Sequence, residues 1–331
     1  MNVGSYNQHE NKMEYKIRIG ISSCIVGDKV RYDGKHKLDS YITETLGQWF
    51  EYVPVCPEVE CGLPVPRESM RLEGEIAKPR LIGNKTRTDY TDRMKSWAKI
   101  KLAELEKENL CGFIFKSKSP SSGMERIKIY DKNGVPWKKA VGIWARAFMD
   151  NFPLLPVEDD GRLHDPKLRE TFIESVFVYY RWRKLLNEGK TMGRLVEFHT
   201  RHKLMIMSHS VELFRKMGRT VAAGSKEDIN RLFDNYLELL SQALKLKTTV
   251  KKNVNVLYHM IGYFKKQLTS DEKQELVEQA ENYARGYTPL IVPLTLINHN
   301  VRKYGQPYLE KQYYLNPHPV ELKLRTHVSV R

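Results

Sequence analysis

The chain has little cysteine and no long apolar run. Its four cysteines, in 331 residues without a secretion signal, argue for thiols kept reduced for metal or redox chemistry, since structural disulfides belong to oxidising compartments. The longest apolar stretches are strand-sized and interrupted by charge, which excludes a membrane-spanning helix. Residues 1–15 form a polar N-terminal tail with no apolar segment of the signal-peptide kind. No internal repeat and no low-complexity segment is present. Acidic residues are outnumbered, 40 Asp and Glu against 55 Lys and Arg, for a net charge of +15. Residues 166–331 hold about 28 of the basic and about 16 of the acidic residues, so roughly +12 of the excess lies in the second half. That balance suits a polyanionic partner such as nucleic acid, with simple solubility as the alternative. With 41% hydrophobic and 29% charged residues the chain is globular, and its length favours about two domains. A soluble, cytoplasmic protein is expected.

The first half alternates strand and helix patterns. "KIRIGISSC" from residue 16 reads as a buried strand, "EYVPVC" as a second and "CGFIF" as a third. Between them lie the helical patterns "LDSYITETLGQWF" and "DYTDRMKSWAKIKLAELEKENL" and an irregular Pro- and Gly-rich loop, "PEVECGLPVPRE". This order predicts an α/β layer with a mostly parallel sheet, whose binding crevice lies outside the carboxyl ends of the strands. Cys24, Cys56 and the turn "KSKSPSSG" come after the three strands, so three loops are expected to converge on one crevice. The second half reads as all-helical, with segments at about 167–188, 191–217, 226–246, 248–268 and 271–286 and an irregular tail from about 287.

Cys24 and Cys56, at strand ends near Arg31, Lys35 or Arg67, are candidate thiolates for soft metal. Cys111, at a strand start, reads as a buried small hydrophobe, and Cys61 stays open between the two roles. Glu58 is a candidate general acid or base. The backbone of 119–123 could form an anion-binding nest, or an ordinary turn. His199 and His202 stand at i, i+3 without a third ligand, so no zinc site is expected there. Arg194, Arg201 and Arg215 form one basic stripe, and Lys252, His259 and Lys266 form another; both suit phosphate-backbone contact, although solvated helix faces look the same.

"GISSCIVGDKVRYDGKHK", "PVCPEVECGLPVPRE" and "KSKSPSSGMER" resemble the three signature loops of the thiouracil desulfidase family, and "FHTRHKL", "HMIGYFKKQL" and "YTPLIVPLTLINH" resemble a YbgA-type helical domain. The resemblance runs nearly throughout 16–326. It implies a Rossmann-like α/β desulfidase domain at 16–165, followed by an all-α, basic domain at 166–331, and a function of removing sulfur from 4-thiouridine in tRNA. It further implies a 4Fe-4S cluster held by three cysteines, with one iron open to take the thiocarbonyl sulfur while water replaces it at the base. The implied ligands are Cys24, Cys56 and residue 122, with Glu58 moving a proton and Ser119 orienting the base. Arg31, Arg67, Lys118 and Ser121 would contact substrate, and tRNA, with neither DNA nor membrane, would be the partner. Where the family's third loop reads Ser-Pro-Ser-Cys-Gly, this chain has Ser122, a harder donor with a far less acidic proton. Three explanations compete: a Cys-to-Ser replacement introduced into a working desulfidase, a natural variant that ligates through oxygen or recruits Cys61 or Cys111, and a relative that keeps tRNA binding without turnover. Rival functions are desulfuration of free thiouracil or another small thiolated metabolite, and non-catalytic RNA binding with structural or zinc-binding cysteines.

Overall fold

A computed structural model describes residues 16–327 apart from 132, 225–227 and 323, and the polar tail 1–15 lies outside the described residues. The chain divides into two compact units at His164/Asp165. The first unit comprises, in order, β1 (Ile17–Ser22), β2 (Phe50–Val55), a helical turn α1 (Pro57–Glu60), β3 (Met70–Gly74), β4 (Pro79–Gly83), α2 (Thr91–Glu106), β5 (Phe113–Phe115), β6 (Ile127–Tyr130), β7 (Pro136–Ala140), α3 (Ile143–Asn151) and β8 (Val157–Asp159).

A four-stranded, wholly parallel sheet has the order β2-β1-β5-β8. Of its central strands, β5 is an unbroken apolar run covered on both faces, with Phe113, Ile114 and Phe115 all buried, and β1 alternates, with Ile17, Ile19 and Ile21 buried on one face and the half-buried Arg18 on the other. Gly20 permits the closest packing within it, since a Cβ there would stand 2.3 Å from the Phe113 ring. Phe113 packs against Phe148 of α3 with the rings tilted by 51° and 4.4 Å between centroids, and Trp144 of the same helix closes the cluster. The parallel sheet and α2 are those expected from the sequence, whereas the helix expected within 38–50 is only a pair of short π- and 3-10-helical turns, Tyr41–Thr45 and Leu46–Gln48, and α1, α3 and β8 were not foreseen.

A second sheet, of order β4-β3-β6-β7, was not foreseen. It is mixed: β3 pairs antiparallel with β4 and parallel with β6, and β6 pairs antiparallel with β7. Leu72, Leu81, Ile127 and Ile129 form its own small core with Met94 of α2 and Cys61.

The second unit is all-helical, as expected. It comprises α4 (Pro166–Glu188), α5 (Met192–His209), α6 (Val211–Ala223), α7 (Ile229–Lys245), α8 (Val250–Tyr263), α9 (Ser270–Arg285), α10 (Ile291–Tyr304) and the turn α11 (Pro307–Glu310). Side-chain caps mark most of the starts. Asp165, Thr191, Ser210, Asp228 and Thr249 each accept first-turn N–H groups, and Thr269 with Glu272 makes a full capping box. The core is aromatic at its centre, where Trp182 stacks on Tyr236 and meets Phe198 and Phe233.

Two expectations are corrected. The helix expected over 191–217 is two helices, because Ser210 turns to extended backbone and its Oγ accepts from the Leu213 N–H, starting α6. The tail expected to be irregular from 287 contains the fourteen-residue α10. Pro293 is tolerated there because first-turn N–H groups have no intrahelical partner. No helix among the described residues is long and apolar enough to cross a membrane.

Candidate active site

The carboxyl ends of β1, β2 and β5 open onto one cavity of about 650 Å³, whose lining includes Cys24, Cys56, Glu58, Ser119 and Ser122. Cys24 lies in the single helical turn after β1, and Cys56 comes directly after β2, ahead of Pro57. The Cys56 N–H donates to Glu60 Oε1 at 2.7 Å, which fixes the start of α1. Ser122 stands in the turn after β5. The three loops thus converge as the sequence implies.

The third loop is seated on the start of α3. The Ile143 N–H donates to Pro120 O, the Ala145 N–H to Ser121 O at 3.1 Å and the Gly142 N–H to Gly123 O at 2.8 Å. This close approach needs glycine at 142, where a Cβ would lie 2.3 Å from the Ser121 carbonyl oxygen. Gly142→Ala is therefore expected to displace the loop and lower the urea midpoint by an amount worth about 1–3 kcal/mol, the usual cost of overpacking. An unchanged midpoint would refute this seating. Within the loop, the Ser122 N–H donates to Ser119 Oγ and the Gly123 N–H to Ser119 O. These two N–H groups are therefore committed to Ser119 and not offered to an anion, as a nest would require.

A continuous polar chain joins the second and third loops. The Ser121 hydroxyl donates to Glu58 Oε1 and stands 2.8 Å from Ser119 Oγ and 3.4 Å from Ser122 Oγ. Ser121 is fully buried, so this pairing is shielded from water. The other carboxylate oxygen of Glu58 accepts from the Cys56 thiol at 3.6 Å and lies 3.8 Å from Arg67. Arg67 also donates to Val30 O at 3.0 Å, and its N–H donates to Tyr32 O, tying the first loop to the second.

Both cavity thiols are held protonated. Burial pushes Cys24 up to about 11 against the pull of Lys116, and burial together with the Glu58 charge pushes Cys56 up to about 12. The other two cysteines are elsewhere. Cys61 donates to Glu58 O at 3.2 Å and packs in the small core of the second sheet, where burial raises its pKa. The Cys111 N–H donates to Arg18 O at the amino end of the parallel sheet, away from the cavity, and the residue is buried as expected. Sequence reasoning missed Lys116, Asp160, Tyr32 and Lys37. Lys116 donates to Asp160 at 2.5 Å, and Asp160 also accepts from the Ser117 N–H, so the loop after β8 braces the loop after β5. The signal was the same one used for the other three loops, since "VEDDG" also closes a strand.

The second-half candidates scatter. Arg194 donates to Gly189 O, Arg201 pairs with Glu197 at 2.6 Å, and Lys252 donates to His209 O and Lys247 O. Arg215 lies on α6 and not on the helix of the other two arginines, and Lys266 lies beyond the end of α8. His259 and Lys266 are exposed. His199 and His202 are buried, with Nδ1 atoms 3.1 Å from Tyr236 Oη and 2.7 Å from Phe198 O, and burial lowers their pKa values to about 4 and about 3. They are neutral core histidines.

A parallel α/β unit with two thiols, a carboxylate and a serine cluster on one crevice defines a thiol-lined active-site class. The profile of the 2-thiouracil desulfurase family matches residues 19–160, and that of a protein family of unknown function, DUF1722, matches 203–319. The uncharacterized protein YbgA of Escherichia coli (strain K12) is 30% identical over 151 residues, 45% of this chain and 89% of its own. The uncharacterized protein YbbK of Bacillus subtilis (strain 168) is 30% identical over 108 residues, 31% of this chain and 71% of its own. A solved structure described as a [4Fe-4S]-dependent thiouracil desulfidase, TudS, is 26% identical over 45% of this chain and 95% of its own, with a TM-score of 0.36. The chain belongs to the 2-thiouracil desulfurase family in its first unit and to the YbgA-like DUF1722 family in its second.

Proposed function

We propose that the chain is a desulfidase that hydrolyses the thiocarbonyl of a thiolated uracil, with 4-thiouridine in tRNA as its substrate. The observation that carries this reading is the meeting of Cys24, Cys56, Glu58, Ser119 and Ser122 in one cavity at the carboxyl ends of parallel strands, with the buried Ser121 hydroxyl bonded to Glu58 behind it. In the net reaction the carbon gains the oxygen of water and loses its sulfur as sulfide, so oxidation states are unchanged.

The residues fit a 4Fe-4S cluster in placement: positions 24, 56 and 122 all line the cavity. In donor chemistry the set is one thiolate short. Among the described residues no group of three His, Cys, Asp or Glu is arranged to hold a metal ion, and the third position, 122, is a serine. Cys24, Cys56 and the Ser122 oxygen would hold the cluster, the last as a harder and weaker donor. When bound, the cluster supplies an open iron that is thiophilic and polarises the thiocarbonyl. Glu58 accepts a proton from the attacking water, and its Oε2, beside Cys56 Sγ, returns it to the departing sulfur. Ser119 presents its hydroxyl to the base, and Ser121 holds Glu58 in the rotamer that faces the cavity.

The basic second unit would supply phosphate contacts while the crevice takes a flipped-out base, since a stacked base cannot reach a buried site. Of the residues expected in that role, His259 and Lys266 keep exposed heads, whereas Arg194, Arg201 and Lys252 are engaged within the unit. tRNA affinity is expected to fall steeply with salt, the log–log slope growing by about 0.7–0.9 for each phosphate neutralised. A flat salt dependence in a filter-binding titration would remove tRNA as the partner. This function places the protein in the cytoplasm.

A further inference from the structure

Glu58 stands on α1, a turn of four residues. Such a turn is too short to hold itself, because forming it fixes several backbone dihedral angles for very few hydrogen bonds. Its support comes from α2, which grips both ends through side chains that lie outside the cavity lining.

At the closing end, the Arg93 guanidinium donates to Cys61 O at 2.6 Å and to Gly62 O at 2.7 Å. Carbonyls just past a helix end lack intrahelical partners, and a cation suits them. Gly62 makes the approach possible: its φ is 89°, and a Cβ there would stand 2.4 Å from an Arg93 nitrogen. At the opening end the Cys56 side chain makes no cap bond, and the Cys56 N–H donates to Glu60. Glu60 is held in turn by Lys101 of α2, 3.0 Å away. Arg93, Trp97 and Lys101 follow at intervals of four along one side of α2, and Trp97 packs against the core of the second sheet. Between the two grips the Glu58 carbonyl accepts from the Leu63 N–H at 2.9 Å, and its carboxylate accepts from Ser121. Arg93 is exposed, and a single surface ion pair would contribute little. Two charge-assisted bonds from one planar fork to adjacent carbonyls fix orientation as well as charge.

We propose that Arg93 and Lys101 are positioning residues that splint the α1 turn from outside the cavity and set the direction in which Glu58 faces. The effect on turnover rests on the desulfidase reading, whereas the splint itself rests on the bonds at the two ends of α1.

The test uses the Arg93→Ala, Lys101→Met double variant and two readouts. The first is amide hydrogen exchange in the metal-free chain, which needs no turnover. The Leu63 amide is expected to exchange about tenfold faster or more, as local opening requires. The Phe113 amide, which donates to Pro156 O in the parallel sheet, should keep its rate. Unchanged Leu63 exchange, or equal acceleration of both amides, would overturn the splint. The second readout is single-turnover desulfuration by the reconstituted Ser122→Cys form, expressed per loaded cluster. The rate at saturating substrate should fall about 10- to 100-fold, the scale of a misplaced catalytic group, with the half-saturating concentration little changed. Arg93→Lys with Lys101→Arg should recover most of the rate. In a Glu58→Gln background the double variant should add no further loss, because its effect runs through that carboxylate. A loss of the same size in that background, or one confined to the half-saturating concentration, would overturn the positioning role. If the Leu63 amide opens but the parent desulfurates no thiolated uracil, the desulfidase reading fails and the splint stands.

Discussion

Ser122→Cys is expected to raise the iron and acid-labile sulfide retained after anaerobic reconstitution from a partial to a full 4Fe-4S complement. Position 122 already lines the cavity with Cys24 and Cys56, is 2% exposed, and has its backbone fixed by the Ser122 N–H bond to Ser119 Oγ. The substitution therefore changes the donor and leaves the seat alone. A thiolate is the softer ligand and forms at far lower pH than a serine alkoxide. Loading should also improve as pH rises, because burial holds Cys24 and Cys56 protonated up to about 11 and about 12 and the metal must displace those protons. Iron and sulfide counts per chain decide the matter. Equal and full counts in both proteins would mean that residue 122 is not a ligand.

Glu58→Gln is expected to leave iron content intact and to abolish turnover, by about 10²–10⁴-fold if Glu58 is the proton-transfer group. Glutamine keeps an oxygen that can accept from Ser121, so the polar chain between the second and third loops can survive. What it loses is the capacity to take a proton from water and pass it to sulfur. The comparison belongs in both the chain as it stands and the Ser122→Cys form, with single-turnover rates beside metal analysis. Loss of iron in the glutamine variant would make Glu58 a structural residue, and retained turnover would place proton transfer elsewhere.

The crevice was legible because the strands carry β-branched and aromatic residues bounded by polar loops, and the loops at the carboxyl ends of parallel strands all lie at one end of the sheet. "GISSC", "PVC" and "FKSKSPSSG" could therefore be brought together without knowing the strand order. The second sheet was not legible. Its strands "MRLEG" and "PRLIG" are short and carry charge within the run, so no clean period survives in them. The break at Ser210 was hidden because α6 begins immediately after it, carrying the helical period across the cap.

The basic stripes misled for a related reason. Spacing by sevens locates Cα atoms on a helix face, but it says nothing of where a long side chain ends. Lys252 spends its ammonium on the carbonyls of His209 and Lys247, at the C-termini of other segments, and Arg201 spends its guanidinium on Glu197. Conversely, Lys37 obeys no period, and only the folded first loop reveals that it lines the cavity.

The most direct measurement is desulfuration itself, by protein reconstituted anaerobically with iron and sulfide, in the chain as it stands and in its Ser122→Cys form. Thiolated tRNA, 4-thiouridine 5′-monophosphate and free 4-thiouracil would each be monitored by loss of thiocarbonyl absorbance and release of sulfide. The account predicts equal loss of thiocarbonyl and gain of sulfide, faster in the cysteine form and with tRNA preferred. A fully loaded cysteine form that releases no sulfide from any of the three would contradict it.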